Sequence, residues 1–314
     1  MTDKPSVSVI IPTCDRPELF GKALGSVLAQ DYENIKEIIV TDDGSGEETR
    51  KIAGKFQKEN GKIIYSRNSK YKKGPNGNKQ NGLDLATGDF IATLDDDDLL
   101  VPEAVSALVG KYLESGGKYR TVLANCRRSD NGKLTGKHRG MDEEITYKDL
   151  LCGKFAGEYF GINSRDFFDG LKLEDDLGGM EGLTWLKLWK EKNRVGLYVH
   201  KVLRIYGVYP GQFSNAYEKD PERTFLGYRK HLETFGEELL GLCPEKYAYL
   251  SRIAAYFAKL SGRYAEAAGY AVRAFKAERA GPVSLLFVLF ILLPMPARLA
   301  SFIKKTCAGA GNKR

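Results

Sequence analysis

The sequence predicts an α/β fold in which a doubly wound, mostly parallel sheet is flanked by helices and followed by an all-helical C-terminal region. Short β-branched strands alternate with helical patterns over the first third of the chain, which is typical of parallel sheets. From Pro221 onward the pattern is wholly helical. The chain has 314 residues, of which 42% are hydrophobic and 28% charged, as in ordinary globular proteins.

The strands are predicted first, because they fix where the connecting turns lie. They are residues 6–12, Ile35–Val40, Lys62–Ser66, Phe90–Leu94 and Arg120–Asn125. Helices are predicted after Pro17, over Glu47–Asn60, over Lys79–Thr87 and over Gly182–Lys192, and a helical hairpin over 245–278 that breaks near Ser261–Gly262. Proline near the start of the first helix and glycine at the break agree with the usual helix signals.

Acidic residues follow several of these strands. Asp15 comes after the first strand, Asp42 and Asp43 after the second, and Asp95–Asp98 directly after the fourth. In doubly wound sheets, ligands bind beyond the carboxyl ends of the strands. The sequence therefore predicts one acidic pocket at that edge of the sheet.

The run Asp95–Asp98 predicts a metal site. Adjacent like charges repel one another unless water or a cation relieves them. Carboxylate oxygens suit Mg²⁺ or Mn²⁺, which bridge carboxylates to substrate phosphates. A solvated acidic loop or a helix N-cap cluster is the alternative. No GxGxxG follows the first strand and no P-loop pattern is present, which disfavours a nicotinamide cofactor and P-loop chemistry.

The net charge of +7 is concentrated at one end of the chain. Residues 245–314 carry 12 Lys or Arg against 3 acidic residues, so the tail is +9 and the remainder is −2. A nucleic-acid-binding body would itself carry basic patches, so a nucleic-acid partner is disfavoured. The same tail contains the apolar run 283–293, which is shorter than the about 20 residues of a spanning helix.

Basic and apolar residues together are typical of a membrane-surface segment. We therefore predict that residues 281–305 associate with the cytoplasmic face of the cell membrane. A core helix packed on the body, or an oligomer contact, is the alternative. The N-terminus lacks the features of a signal peptide. Five cysteines, odd in number and without a CxxC pair, favour a reducing compartment over a disulfide scaffold or a zinc ribbon.

Three motifs then occur in a specific order: VSVIIPTCDRPE, IIVTDDGS and GLDLATGDFIATLDDDDLLVPEA. Together they resemble the inverting family 2 glycosyltransferases, which have a GT-A fold, and the resemblance covers roughly residues 6–215. It implies a catalytic domain over residues 1–220 and a helical C-terminal region over 221–314. Lys79 stands where the family commonly has an arginine, and Tyr209 where it commonly has a metal-ligating histidine.

The resemblance also implies roles for individual residues. The implied nucleotide-binding residues are Pro12, Thr13, Asp15, Asp43, Lys79, Asp95 and Asp96. The implied ligands of Mg²⁺ or Mn²⁺ are Asp95 and Asp97. Lys79 would offer a point charge to the diphosphate, and a solvated lysine at a helix start is the alternative.

The segment GGMEGLTWLKLW resembles the family's catalytic stretch. It places Glu181 where the base stands that takes a proton from the acceptor hydroxyl, and Met180 where its acidic neighbour stands. A helix-start carboxylate stabilised by the dipole is the alternative role for Glu181, and Asp175 and Asp176 are competing bases.

Other candidate residues are weaker. Trp185 and Trp189, four residues apart on one helix, are expected to pack in the core, although either could form the floor of a sugar site. His138, His200 and His231 are expected to be structural or surface residues, because their spacing does not suit a metal.

The sequence thus predicts an enzyme that transfers a sugar from a nucleotide-diphosphate sugar, with a UDP-sugar favoured, to a hydroxyl of a lipid-linked or other glycan acceptor. Surface polysaccharide or glycan assembly is the expected context. A transferase that loads a polyprenyl phosphate directly is one alternative, since that anionic acceptor needs no strong base. A non-catalytic scaffold that binds nucleotide sugars is the other.

Overall fold

The computed structural model describes residues 4–137, 139–170, 172–173, 181–209, 220–278 and 291. The described residues fall into two compact units. Leu151–Gly153 group with the helices that follow residue 220, and the other described residues before 210 form a unit built on a sheet.

The first part of the sheet unit alternates parallel strands with helices, as predicted. Its elements are β1 (Val7–Thr13), α1 (Pro17–Leu28), β2 (Ile35–Asp42), α2 (Glu47–Glu59), β3 (Ile63–Arg67), α3 (Pro75–Leu83) and β4 (Phe90–Thr93). β1 lies between β2 and β4, and β3 pairs with β2, all in parallel. Val9 and Ile11 pack into one core cluster and Ile10 into another, so β1 is buried on both of its faces.

Helix α3 begins earlier than the sequence suggested. The predicted start at Lys79 is wrong, because Pro75 occupies the first turn of the helix, where proline's fixed φ angle and missing N–H are tolerated. Lys79 therefore lies inside the helix, where it is buried.

The second part of the sheet unit is mixed. Its elements are β5 (Leu99–Leu100), α4 (Ala104–Glu114), β6 (Thr121–Arg128), β7 (Glu143–Ile145), α5 (Tyr147–Leu151), β8 (Tyr159–Ser164), α6 (Glu181–Lys192) and β9 (Gly196–Tyr206). The strand order is β3-β2-β1-β4-β8-β6-β9-β5, with β7 also on β9. The antiparallel strand β8 joins β4 to β6, which extends the parallel half into one continuous sheet.

The second unit is helical, as predicted. It contains α7 (Pro221–Leu242), α8 (Pro244–Leu260) and α9 (Tyr264–Ala277). Oδ1 of Asp220 accepts the N–H of Arg223 at 2.9 Å and so caps α7. The break between α8 and α9 falls at the predicted place, where Gly262 has a φ of +75°.

A disulfide joins Cys152 to Cys243 within the helical unit. This bond was not predicted, because the number and spacing of the cysteines favoured a reducing compartment over a disulfide scaffold. The two cysteines are 91 residues apart in the sequence, so no spacing motif could have indicated the bond.

No helix in the part of the chain that the structure describes is long and apolar enough to cross a membrane. The apolar run 283–293 and the rest of segment 281–305 lie outside the described residues, apart from Ile291.

Candidate active site

The carboxyl ends of β1, β2 and β4 meet at one edge of the sheet, because these strands are parallel neighbours. The N–H of Asp43 donates to the carbonyl oxygen of Thr13 at 3.0 Å, which joins the ends of β1 and β2. Oγ1 of Thr13 donates to Oδ2 of Asp96 at 2.7 Å, which joins the end of β1 to the turn after β4. We call this set of residues, Asp15, Asp42, Asp43 and Asp95–Asp98, the acidic edge.

The four consecutive aspartates face alternately outward and inward. The side chains of Asp95 and Asp97 are 40% and 12% exposed. Those of Asp96 and Asp98 are 0% and 1% exposed. The outward pair are the residues that the resemblance implies as metal ligands. Asp96, which was expected to contact the nucleotide, is placed to support the turn from beneath through its bond to Thr13.

Basic side chains offset the charge of the outward pair. Arg16 forms an ion pair with Asp96, and its Nη1 donates to Oδ2 of Asp97 at 2.7 Å. Nζ of Lys79 lies 3.0 Å from Oδ1 of Asp95. The alternative of a solvated Lys79 is wrong, because the residue is only 7% exposed and points into the acidic edge.

Arg204 offsets the charge of Asp98, the last of the four aspartates. Its Nη1 lies 3.2 Å from Oδ2 of Asp98, and its Nε–H donates to Sγ of Cys126 at 3.1 Å. Oδ1 of Asp98 accepts the N–H of Gly207 at 2.8 Å. A methyl group on Gly207 would overlap the backbone carbonyl of Asp97. Asp98 therefore holds the segment after β9, through Gly207, in close contact with the turn Asp95–Asp98.

Burial and charge separate the acidities of these aspartates. Burial raises the pKa of Asp96 to about 6 and that of Asp98 to about 7, despite their arginine partners. Burial alone would raise the pKa of Asp95 as well. The positive charges of Lys79, Arg204 and Arg16 outweigh that effect and hold the pKa of Asp95 below its usual range. The outward-facing Asp95 is consequently an anion at neutral pH, which is the form that binds a cation.

Asp43 fastens the loop between β3 and α3. Its Oδ1 accepts Nδ2–H of Asn68 at 2.9 Å, and its Oδ2 accepts the N–H of Gly74 at 2.7 Å. Each carboxylate oxygen has capacity for a second hydrogen bond. Asp43 is therefore held rigidly in a position from which it could still accept from a ligand.

The turn after β1 is fixed in the same way. Asp15 has a φ of 49°, a left-handed conformation that aspartate tolerates better than most residues. Its Oδ1 accepts the N–H of Gly46 at 2.9 Å, and its own N–H donates to Oγ of Ser45 at 2.9 Å. Pro12 is buried in β1 opposite Thr41, beyond the last residue that pairs with β4.

The donor set at the outward pair suits a small hard cation. Among the described residues, no three His, Cys, Asp or Glu side chains form a metal-binding group. Asp95 and Asp97 provide carboxylate oxygens here, and Mg²⁺ commonly binds through one or two carboxylates with water and phosphate completing its shell. The residues present therefore fit a divalent ion that is held jointly with a diphosphate.

Several predicted site residues are only partly described. Glu181 begins helix α6, but its side chain lies outside the described residues, as do Asp175, Asp176 and Met180. Tyr209 is described, and its ring lies beside Gly207 at the acidic turn.

The aromatic residues of α6 belong to the core, as expected. Trp189 is buried and Trp185 packs on the same cluster, against Phe167 and Phe168. His200 lies on β9 and His231 on α7, and His138 lies outside the described residues.

Sequence reasoning missed residues that hold the acidic edge together. They include Arg16, Arg204 and Asn78. Nδ2 of Asn78 donates to the carbonyl oxygens of Thr13 and Thr41, at 3.1 Å each, so this buried amide joins β1 to β2. Arg16 could have been found, because it directly follows Asp15 in the first turn. Arg204 carries no such signal, because β9 is more than 90 residues away from Asp95–Asp98 in the sequence and comes close to that turn only in the folded sheet.

Comparison with known proteins adds independent information. Residues 8–168 match the family described as Glycosyl transferase family 2. The chain is 35% identical over 302 residues to the GalNAc(5)-diNAcBac-PP-undecaprenol beta-1,3-glucosyltransferase of Campylobacter jejuni, a match that covers 92% of this chain and 94% of the relative. It is 30% identical to the UDP-Glc:alpha-D-GlcNAc-diphosphoundecaprenol beta-1,3-glucosyltransferase of Escherichia coli, over 47% of this chain and 56% of that relative.

Solved structures share the architecture. Residues 1–349 of Staphylococcus aureus TarS, in complex with UDP-GlcNAc, align with a TM-score of 0.69 and 16% identity over 97% of this chain and 92% of that one. A mannosyltransferase from Pyrobaculum calidifontis, in complex with GDP-Man and Mn²⁺, aligns with a TM-score of 0.58 and 18% identity over 99% of this chain and 87% of that one. At these identities the likeness shows the fold, which is of the GT-A type.

The Arg204–Asp98 pair yields a testable prediction. Replacement Arg204→Met should destabilise the sheet unit by about 3–5 kcal/mol, because it leaves a buried carboxylate without its partner. The double variant Arg204→Met with Asp98→Asn should regain part of that loss. Urea unfolding measures both effects. Lys201→Met, at an exposed position on the same strand, is the control, and a loss no larger than the control's would contradict the assigned role of the pair.

Proposed function

The chain belongs to glycosyltransferase family 2, and we propose that within this family it transfers glucose from UDP-glucose, with inversion, to a hydroxyl of a glycan carried on a polyprenyl diphosphate. The match to the Campylobacter relative carries this proposal, because it extends over nearly the whole of both chains. The names of the two relatives agree on glucosyl transfer to an undecaprenol-linked acceptor, and that of the Escherichia coli relative gives UDP-Glc as the donor.

In this proposal the acidic edge is the donor site. Asp15 and Asp43 hold the nucleoside, with Asp43 accepting hydrogen bonds beyond those from Asn68 and Gly74. Nζ of the buried Lys79, which lies 3.0 Å from Oδ1 of Asp95, would face the diphosphate. This arrangement matches the general position of ligands at the carboxyl ends of parallel strands.

Asp95 and Asp97 would hold Mg²⁺ or Mn²⁺. The bound ion would offset the negative charge of the departing diphosphate. Asp96 and Asp98 do not contact the ion in this scheme. They fix the position of the outward pair through Thr13, Arg16 and Arg204.

Glu181 is the proposed base. The acceptor oxygen forms a bond to the anomeric carbon while its proton passes to the carboxylate of Glu181. The bond between the anomeric carbon and the β-phosphate oxygen breaks, and UDP leaves with the bonding electron pair. Attack opposite to the leaving group inverts the configuration at the anomeric carbon.

Segment 281–305 is proposed to hold the enzyme at the membrane surface that presents the acceptor. Basic residues near a membrane each contribute about 1 kcal/mol of attraction to anionic lipid. Arg298, Lys304 and Lys305 follow the apolar run and suit that role.

Donor binding is tested by titrating UDP, GDP and CDP into the protein with and without Mn²⁺. We expect UDP to bind most tightly and its affinity to rise with Mn²⁺. Asp97→Asn should weaken the Mn²⁺-dependent part by about tenfold or more, because it removes a charged ligand. Asp130→Asn, at an exposed residue paired with Arg128, is the control. Equal Mn²⁺-dependent binding in both variants would exclude Asp97 as a ligand.

The base is tested by Glu181→Gln. Turnover with UDP-glucose and a diphosphate-linked glycan should fall by about 10²–10⁴-fold, while the affinity for UDP stays unchanged. Glu191→Gln, at an exposed position on α6, is the matched control. Nearly full activity of the Glu181 variant would favour the alternative in which a polyprenyl phosphate is itself the acceptor.

Membrane association is tested by sedimentation with liposomes. The triple variant Arg298→Glu, Lys304→Glu and Lys305→Glu should bind anionic liposomes far more weakly than the wild type, and neutral liposomes about equally. Sedimentation with anionic liposomes that does not change would remove the proposed role of the segment.

A further inference from the structure

Arg16 occupies a position between two unlike carboxylates. It directly precedes Pro17 at the start of α1, so its backbone is fixed by the turn after β1. Its side chain is 42% exposed. One of its nitrogens pairs with Asp96, and the other, Nη1, donates to Oδ2 of Asp97 at 2.7 Å. A single guanidinium thus spans a buried and an outward-facing aspartate.

The bond to Asp96 is the permanent one. Asp96 is fully buried, and its Oδ1 has Arg16 as its ionic partner while Oδ2 accepts from Thr13. Removing the partner of a buried charge is strongly destabilising. We therefore expect Arg16 to remain on Asp96 whatever binds at the surface.

The bond to Asp97 is exchangeable. Asp97 is partly exposed, and the carboxylate that accepts Nη1 of Arg16 is the group that would also bind a divalent ion. The neighbouring aspartates raise the pKa of Arg16, although burial opposes them, so the guanidinium keeps its charge. A cation on the Asp97 carboxylate and the guanidinium of Arg16 carry like charges and therefore repel each other.

A diphosphate changes this competition. Guanidinium groups bind phosphate oxygens through well-aligned, charge-assisted hydrogen bonds. A diphosphate that shared an ion with Asp97 would come within reach of the guanidinium of Arg16 and would offer it a new acceptor. The ion and the diphosphate would then favour the same state of Arg16, in which Nη1 donates to a phosphate oxygen and no longer to Asp97.

We propose that Arg16 couples metal binding to donor binding by holding Asp97 until a diphosphate takes its Nη1. The inference rests on the proposed function, because it concerns the same site. Such coupling is reciprocal by thermodynamic linkage, so Mn²⁺ raises the affinity for UDP by the factor by which UDP raises that for Mn²⁺. The acidic edge thus takes up the ion together with the nucleotide and binds it weakly alone.

The experiment measures Mn²⁺ affinity by electron paramagnetic resonance, with and without UDP, in the wild type and in Arg16→Lys. A lysine supplies a charge for Asp96, but it lacks the fixed fork in which the guanidinium presents one nitrogen to each carboxylate, so its hold on Asp97 should be weaker. We expect Mn²⁺ alone to bind about fivefold more tightly to the variant than to the wild type. The factor by which UDP strengthens Mn²⁺ binding should fall by a similar amount.

A second variant protects the test against misfolding. Arg16→Gln combined with Asp96→Asn removes both members of the buried pair, so no uncompensated charge remains. It should show the same gain in Mn²⁺ affinity and the same loss of coupling. Arg128→Lys, at an exposed arginine paired with Asp130, is the control and should behave as the wild type.

The outcomes separate this inference from the function on which it rests. Unchanged coupling in both Arg16 variants overturns the inference alone. UDP binding without any Mn²⁺ binding overturns the inference and the metal assignment, and leaves the nucleotide site standing. Failure of the wild type to bind UDP under any condition overturns the inference and the proposed function together.

Discussion

The structure depends on the compensation of four consecutive carboxyl groups at the end of a buried strand. Asp95–Asp98 follow β4 directly, and adjacent carboxylates in such a place repel one another unless cations lie close by. The compensating side chains come from distant parts of the sequence: Arg16 from the turn before α1, Lys79 from α3 and Arg204 from β9. The order of strands in the sheet is what brings these elements to one edge.

The four aspartates alternate in exposure, and the buried pair and the more exposed pair have different roles. Asp96 and Asp98 face inward, have raised pKa values and bind the surrounding chain through Thr13 and Gly207. Their neighbours Asp95 and Asp97 are more exposed, at 40% and 12%, and so are open to a ligand. A rigid inner pair keeps the outer pair in place, as the proposed joint binding of an ion and a diphosphate requires.

Much of this could be predicted from the sequence, because local patterns carry it. The alternation of β-branched strands and helices predicted β1 to β4, and acidic residues after those strands predicted the acidic edge. The antiparallel strand β8 was missed, since its central Gly161 packs against β6 and weakens the strand pattern; a methyl group there would lie 2.5 Å from the carbonyl oxygen of Val122. Arg204 and the Cys152–Cys243 disulfide were missed because contacts between distant segments leave no local signal.

We expect the outward pair of aspartates to bind a divalent ion together with the diphosphate of the donor. A crystal structure of the protein with UDP and Mn²⁺, with the ion located by its anomalous scattering, tests this expectation. We predict an anomalous peak in contact with a carboxylate oxygen of Asp97 and with the diphosphate, and Arg16 turned from Asp97 towards a phosphate oxygen. UDP bound at the acidic edge with Mn²⁺ elsewhere, or Arg16 still on Asp97 beside a bound ion, would contradict it.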